Sequence, residues 1–179
     1  MEPYRVMTVC TGNICRSPMA EVVLAERFER AGLADLVEVD STGISDEEHG
    51  RPIDRRAARV LAAHGYAVPR HAARRVTRAD VGGRDLLLAM TASHARALRA
   101  LAGSQDGVAG RVRMFRSFDP AAPRGVAEHL LDVDDPWYGD EAGFEVTLAE
   151  VEAAADGVVE HVRAELAARG RLPADINQP

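Results

Sequence analysis

The segment VCTGNICRSP, residues 9–18, predicts how the fold of this chain begins. It follows the β-prone run YRVMTVC and precedes an apolar stripe with helical spacing. Ser17 suits the N-cap of a helix and Pro18 suits its first turn. The sequence therefore predicts a strand, a tight turn and a helix.

Further along the chain, strand and helix patterns alternate. Strands are predicted in LVEVDSTG (36–43), DLLLAMT (85–91) and RVRMFRSF (111–118). Helices are predicted at 54–65, with Asp54 as N-cap and Gly65 at its end, and at 92–103 and 144–170. A Pro-rich connection spans residues 118–137. This βαβαβαβα order is typical of a parallel sheet with helices on both faces, whose ligands bind beyond the carboxyl ends of the strands.

Length and composition limit the function classes. The chain has 179 residues and is 46% hydrophobic, enough for one sizeable core, and we expect a single domain over residues 1–168 with a flexible tail at 169–179. A net charge of −6 and no long apolar run argue against nucleic-acid or membrane partners. Two cysteines and no recognisable leader favour a cytoplasmic protein, although unconventional secretion leaves no such trace. The absence of lysine, with abundant arginine, suggests a GC-rich, bacterial genome.

The opening turn has the composition of an oxyanion site. A loop between a strand and a helix points backbone N–H groups and the positive end of the helix dipole at one position. That field favours the thiolate of Cys10, a nucleophile, and Arg16 can bind two phosphate oxygens with its planar guanidinium group. Gly12 permits close backbone approach and Asn13 tolerates a left-handed φ, so both can curl the turn. A Walker-type loop is excluded because the chain has no lysine.

Each of these residues also has an ordinary structural interpretation. A cysteine that ends a buried strand is often a small core side chain, and an arginine in a first helical turn is usually solvated. The combination Cys-x5-Arg-Ser across one strand-to-helix turn favours the functional interpretation.

VCTGNICRSP, together with DPWYGD at residues 135–140, resembles the low-molecular-weight protein tyrosine phosphatases. The resemblance extends more weakly through VDSTG, HGYAVPRHAARRV and SFDP. It implies an α/β three-layer sandwich with a four-stranded parallel sheet and helices on both faces. By resemblance, Cys10 attacks phosphorus, Arg16 clamps the phosphoryl oxygens and Asp135 is the general acid, and the phosphate-binding loop includes Thr11, Gly12, Asn13, Ile14 and Cys15.

The resemblance also implies the substrate class. Phosphotyrosine in proteins, and small aryl phosphates, would be hydrolysed through a cysteinyl phosphate to release inorganic phosphate, without a metal or an organic cofactor. A monomer is expected. The chemistry independently requires an acid to protonate the leaving oxygen. Asp134 is a substitute acid, but Asp135 directly precedes the proline as in the family motif. A calcium loop in this acidic run is excluded because Pro136 and Trp137 stand where a ligand and a glycine are needed.

Supporting residues also follow from the resemblance. Asn13, Ser41 and His71 would form a hydrogen-bond set that holds the loop, and Ser17 would donate to the Cys10 thiolate. Trp137 and Tyr138 would form one wall of a slot for an aromatic ring.

The chain departs from the family pattern at two places. The opposite rim carries Glu47 and Glu48 where relatives commonly have an aromatic residue, which disfavours acidic phosphopeptides. Thr91 stands where relatives usually have an aspartate that anchors the loop arginine. We therefore expect Arg16 to be held less firmly, and phosphate to bind more weakly than in close relatives.

Cys15 lies close enough to Cys10 in sequence for a reversible disulfide that shields the nucleophile, and the alternative is a packed thiol under the loop. The remaining histidines show no metal-ligand spacing and are interpreted as structural or solvated: 49, 64, 94, 129 and 161. Two other functions stay open. One is an arsenate reductase of the same fold that uses a low-molecular-weight thiol, and the other is a non-catalytic phosphoprotein-binding module.

Overall fold

The computed structural model describes residues 2–105 and 107–172 and contains one four-stranded parallel sheet. The strands lie in the order β2-β1-β3-β4, so the first strand is central. The strands are β1 (Tyr4–Cys10), β2 (Val37–Gly43), β3 (Leu86–Ala89) and β4 (Val112–Met114). The helices are α1 (Arg16–Arg30), α2 (Arg55–Ala63), α3 (Arg78–Gly82), α4 (Ala92–Ala102), α5 (Val108–Arg111) and α6 (Glu141–Ala168).

The sheet separates two hydrophobic cores because side chains alternate along β1. Tyr4 and Val6 pack into the core under α1, α2 and α6, whereas Met7 and Val9 pack into the core under α3, α4 and α5. The predicted α/β fold with helices on both faces of a four-stranded parallel sheet is confirmed.

Two local predictions were wrong. The run at 111–118 forms a strand only over Val112–Met114 and continues as a 3-10 helix, Phe115–Phe118, because the chain turns there to pass under α6. Helix α1 begins at Arg16 rather than after Ser17, and its N-cap residue, Cys15, makes no side-chain cap hydrogen bond. Ser17 is instead inside the first helical turn and fully buried.

The start of α2 agrees with the sequence pattern, whereas α6 begins at Glu141, three residues before the predicted start at 144. The Asp54 side chain accepts a hydrogen bond from the Arg56 amide at the start of α2, as an N-cap does. The sequence patterns did not predict the short helices α3 and α5. None of the helices in residues 2–105 and 107–172 combines the length and the apolar character needed to cross a membrane. Of the expected tail at 169–179, residues 173–179 lie outside the described residues.

The strand register places the opening turn at the carboxyl edge of the sheet. Cys10, the last residue of β1, pairs with Gly43 at the end of β2, and Val9 pairs with Ala89 at the end of β3. Three strands therefore end beside the turn, and the segments that follow them surround it.

Candidate active site

Residues 11–15 form a tightly curled loop between β1 and α1. Asn13 has a φ of 60° and is the only non-glycine residue with a positive φ in residues 2–105 and 107–172. The loop lies against the end of β2, where an added Cβ on Gly43 would come within 2.4 Å of the Thr11 carbonyl oxygen. Only glycine at position 43 permits this approach, because backbone atoms cannot move aside as a flexible side chain can.

The curl leaves a row of backbone donors unused. In the described part of the chain, no group accepts a hydrogen bond from the amides of Gly12, Asn13, Ile14 or Cys15. The loop carbonyls, by contrast, are engaged: those of Cys10 and Thr11 accept from residues 44 and 45, and that of Ile14 accepts from Asp54. Unpaired amides at the start of a helix form an anion-binding cup.

Asn13 holds the loop through every polar atom of its side chain. Its Nδ2 donates to Ser41 Oγ at 2.8 Å and to Ser17 Oγ at 3.0 Å. Its Oδ1 accepts from the Arg74 amide at 3.0 Å. The Asn13 carbonyl oxygen accepts from His71 Nε2 at 2.7 Å. The structure thus brings the predicted set of Asn13, Ser41 and His71 together.

Glu21 extends this set and was not found from the sequence. Its carboxylate accepts from Ser41 Oγ at 2.5 Å, and burial raises the pKa of Glu21 above its ordinary value. The only signal in the sequence is its position one helical turn after Ser17, on the same side of α1.

Cys10 lies at the base of the cup, 2% exposed, with its Sγ 3.0 Å from Ser17 Oγ. Ser17 Oγ is also 3.2 Å from the Thr42 carbonyl oxygen. The hydroxyl has a single hydrogen, so it donates either to sulfur or to that carbonyl. A thiolate at Cys10 attracts this hydrogen more strongly than a neutral thiol does.

Cys15 differs from Cys10 in its surroundings. Burial, and next the negative charge of Asp54, raises the pKa of the Cys15 thiol far above its ordinary value. Cys15 is therefore a protonated thiol and a poor nucleophile at neutral pH. Both cysteines are free and buried in the structure.

Arg16 reaches across the cup from the first turn of α1 and is 4% exposed. Its Nη1 donates to the Val133 carbonyl oxygen at 3.0 Å, and its Nη2 donates to Asp135 Oδ2 at 2.7 Å and to Thr11 Oγ1 at 3.4 Å. Its Nε is buried and has no partner among the described residues. The guanidinium group is thus held at one end only.

Asp135 lies in the loop that precedes α6 and reaches the same cup. One carboxylate oxygen binds Arg16, and the other accepts from the Trp137 amide at 3.1 Å, which orients the group. Arg56 holds this loop in place: its Nη1 donates to the carbonyl oxygens of Trp137 and Gly139, and its guanidinium stacks 5.5 Å from the Trp137 ring. These contacts fix the loop that carries the carboxylate.

The rims of the pocket are chemically unlike one another. Trp137 and Tyr138 form an aromatic rim and are 40% and 91% exposed. Glu47 and Glu48 form the other rim, and the Glu48 side chain packs over Gly12. The pocket is lined by Cys10, Thr11, Gly12, Ile14, Cys15, Arg16, Glu47, Glu48, Asp135, Trp137 and Tyr138. An anion in the cup is thus bordered by carboxylates on one side.

Thr91 and His94 both lie at the start of α4. Thr91 is the N-cap of this helix, and its Oγ1 accepts from the His94 amide at 3.3 Å. Among the described residues Thr91 makes no hydrogen bond to Arg16, and a less firmly held Arg16 stays a prediction. Of the two interpretations of His94, the structural one agrees with its position, because it is 3% exposed and its ring contacts the loop at Thr11.

Metal ligation is not indicated by the site. Within residues 2–105 and 107–172, no group of three or more His, Cys, Asp or Glu residues is arranged to hold a metal ion.

Comparison with known proteins places this site in a family. Residues 5–168 match the family model of the low molecular weight phosphotyrosine protein phosphatases. A low molecular weight protein-tyrosine-phosphatase of Streptomyces coelicolor is 49% identical over 166 residues, covering 93% of this chain and 98% of that protein. Low molecular weight protein-tyrosine phosphatase A of Mycobacterium tuberculosis is 46% identical over 170 residues, covering 94% and 98%.

Solved structures agree with this assignment. The chain is similar to YfkJ from Bacillus subtilis, with a TM-score of 0.81, 27% identity and coverage of 92% of this chain and 98% of that one. It is also similar to a protein tyrosine phosphatase from Entamoeba histolytica, with a TM-score of 0.79, 26% identity and coverage of 90% and 97%. The chain belongs to the low molecular weight phosphotyrosine protein phosphatase family.

Proposed function

We propose that this protein hydrolyses phosphotyrosine in proteins, and small aryl phosphates, through a cysteinyl-phosphate intermediate. One observation carries the proposal: Cys10 lies at the base of a cup of unpaired amides that both Arg16 and Asp135 reach. A nucleophile, an oxyanion clamp and a proton donor thus meet in one pocket.

In the first step, Cys10 Sγ attacks phosphorus and the bond from phosphorus to the aryl oxygen breaks. The loop amides and Arg16 hold the three nonbridging oxygens as charge redistributes. Asp135, in its protonated form, gives its proton to the leaving oxygen. The phosphoryl group competes with Asp135 for Arg16, so substrate binding releases the carboxyl group from its ion pair and frees it to reach the leaving oxygen.

In the second step, the carboxylate of Asp135 takes a proton from water while the water oxygen attacks phosphorus. The bond from sulfur to phosphorus breaks, and inorganic phosphate leaves. The Ser17 hydroxyl donates a hydrogen bond to the departing thiolate of Cys10, which stabilises the negative charge on sulfur and makes it a better leaving group. Asn13, Ser41 and His71 keep the amides pointed inward during both steps.

The rims suggest which phosphotyrosines are preferred. Trp137 and Tyr138 are placed to pack against the tyrosine ring, whereas Glu47 and Glu48 repel acidic neighbours in the substrate sequence. We infer a preference for phosphotyrosines flanked by neutral or basic residues.

Cellular context is inferred from two features. Free Cys10 and Cys15 are in keeping with a reducing compartment, so we infer that the protein acts in the cytoplasm. The exposed large hydrophobic side chains among the described residues are few, and two of them, Trp137 and Tyr138, belong to the pocket. We infer that the protein acts as a monomer.

The test is hydrolysis of p-nitrophenyl phosphate with EDTA present, by wild type, Cys10→Ser and Asp135→Asn. We expect Cys10→Ser to abolish turnover while still binding phosphate. Asp135→Asn should lose about 10²- to 10⁴-fold in turnover of phenyl phosphate, whose poor leaving group needs an acid, and less with p-nitrophenyl phosphate. Acid quenching should trap phosphate on Cys10.

Other outcomes distinguish the alternatives. A folded wild type that binds phosphate without turnover would indicate a phosphoprotein-binding module. Consumption of a low-molecular-weight thiol that depends on arsenate, without phosphatase activity, would indicate an arsenate reductase. Either result would refute the proposed hydrolysis.

A further inference from the structure

His94 is a buried polar group that the proposed reaction does not use. It lies in the first turn of α4, which starts directly after β3, and β3 pairs with β1 in the sheet. That topology brings the imidazole against the phosphate-binding loop, where Nε2 lies 2.9 Å from Thr11 Oγ1. The other ring nitrogen, Nδ1, is buried without a partner among the described residues.

The tautomer of His94 follows from this unequal pairing. Burial, and next the charge of Arg16, lowers the pKa of His94 to about 3, so the ring is neutral and carries one N–H. A hydrogen on Nδ1 would be a buried donor with no acceptor, which is rarer in proteins than a buried acceptor with no donor. The hydrogen therefore lies on Nε2, and His94 donates to Thr11 Oγ1.

Thr11 links this donor to the phosphate-binding arginine. Its Oγ1 also accepts from Arg16 Nη2, at 3.4 Å. Thr91, the N-cap of α4, accepts a hydrogen bond from the His94 amide through its hydroxyl and makes none to Arg16 among the described residues. On the side of α4, the described contact to Arg16 therefore runs through Thr11 and His94.

We propose that His94 is a positioning residue for Arg16: it fixes the hydroxyl group of Thr11, which in turn orients the guanidinium that binds phosphoryl oxygens. The neutral ring does this without adding a positive charge beside Arg16. The proposal rests on the proposed function in that Arg16 binds the phosphoryl group. It assigns to a neutral donor in α4 the orienting role that the family resemblance expects of an aspartate at position 91.

The test uses two amides of different reach. His94→Gln places an N–H near the position of Nε2, whereas the shorter His94→Asn places its amide near Nδ1 and cannot reach Thr11. We expect His94→Asn to weaken phosphate binding by about three- to tenfold, the effect of one hydrogen bond, and His94→Gln to stay within about twofold of wild type. Binding of inorganic phosphate is measured by calorimetry, so the result does not require turnover.

A double-mutant cycle tests the link through Thr11. Thr11→Val should weaken phosphate binding as much as His94→Asn does, and the double variant should be no weaker than either single variant. Leu98→Ala, a buried change on the same helix, is the control for loss of stability: it should lower the melting temperature without changing phosphate affinity.

The outcomes separate this proposal from the function on which it rests. Equal phosphate affinity in His94→Asn and wild type, full additivity in the cycle, or the same loss in Leu98→Ala would overturn the role of His94. If the His94 variants do not fold, unchanged phosphate affinity in Thr11→Val overturns it as well. Absence of turnover in the wild type would instead contradict the phosphatase proposal and leave the binding measurements interpretable.

Discussion

Lowering the pH from 7 to 5 should cost the wild-type protein about 2 kcal/mol of unfolding free energy that a His94→Gln variant does not lose. Burial lowers the pKa of His94 to about 3 in the folded state, whereas an unfolded histidine titrates near its ordinary value of about 6.5. Between these two values the unfolded state binds more protons, so stability is complete above the higher value and falls with decreasing pH. pH 5 lies about 1.5 pH units below the ordinary value, and each unit is worth about 1.4 kcal/mol.

Other titrating groups contribute to the total but cancel in the comparison. Burial also lowers the pKa of His161, so the contribution of that group to stability also falls between pH 7 and pH 5. Burial opposes ionisation of Asp54 and Asp85, but hydrogen bonds outweigh it and keep the pKa of each below its ordinary value, so their contributions are lost only at lower pH. Burial raises the pKa of Glu21, which acts in the opposite direction. These groups are present in both proteins, so the difference between the two reports His94.

The assay is urea denaturation followed by circular dichroism at pH 7 and pH 5. His129→Gln is the matched control, because His129 is exposed. We expect His129→Gln to follow the wild type and His94→Gln to show about 2 kcal/mol less acid destabilisation. An equal loss in wild type and His94→Gln would refute the inference that the ring is held neutral by burial.

Four further changes test other parts of the site. Arg56→Leu removes the donor to the Trp137 and Gly139 carbonyls. It should lower turnover about tenfold for substrates with poor leaving groups but little for p-nitrophenyl phosphate, because only poor leaving groups need the acid Asp135. The control is Arg55→Leu, an exposed neighbour on α2. A loss independent of the leaving group would contradict that role. Gly43→Ala forces a Cβ to within 2.4 Å of the Thr11 carbonyl oxygen, so the loop must move, and kcat/KM of aryl phosphate hydrolysis should fall by at least about tenfold. Unchanged kinetics would show that the loop can move without loss of activity. Thr91→Asp keeps a helix-capping residue and restores the carboxylate that the family resemblance expects to anchor Arg16, whose Nε has no partner among the described residues. The inhibition constant of phosphate should therefore fall about three- to tenfold. An unchanged inhibition constant would mean that Arg16 is already held firmly enough. The double change Glu47→Gln and Glu48→Gln should raise kcat/KM about threefold or more for phosphopeptides with acidic flanking residues and leave it unchanged for those with basic flanking residues. An equal effect on both kinds of peptide would argue against charge selection at this rim.

The position of the site was predictable because it depends on local signals and a general rule. A β-prone run, a Gly-Asn turn and a Ser-Pro helix start predicted that Cys10 ends a strand and that a helix follows within a few residues, and parallel sheets bind ligands at that edge. The left-handed backbone of Asn13 was likewise predictable, since asparagine tolerates this conformation.

Local propensity failed where tertiary contacts offered a better partner. Ser17 is a good N-cap by residue type, yet the helix starts earlier and the hydroxyl lies against Cys10 and the Thr42 carbonyl. The last predicted strand was too long because an apolar run pairs as a strand only where a neighbour is available, and beyond Met114 the chain packs under α6 instead.

By itself, the sequence determined the fold class and, through the family motif, a candidate phosphate-binding loop with Cys10, Arg16 and Asp135 as candidate reacting groups. Only the tertiary structure decided that Asp135 pairs with Arg16, 119 residues away, and that His94 reaches the loop through Thr11. The physical reason is that the hydrophobic periodicity of the sequence indicates only which face of a helix or strand is buried. Contacts between distant side chains depend in addition on which strands are neighbours in the sheet and on where each helix and strand ends. The sequence of α4 does not indicate whether its histidine contacts solvent, the core or the loop after β1. The pairing of β1 with β3 places His94 against that loop.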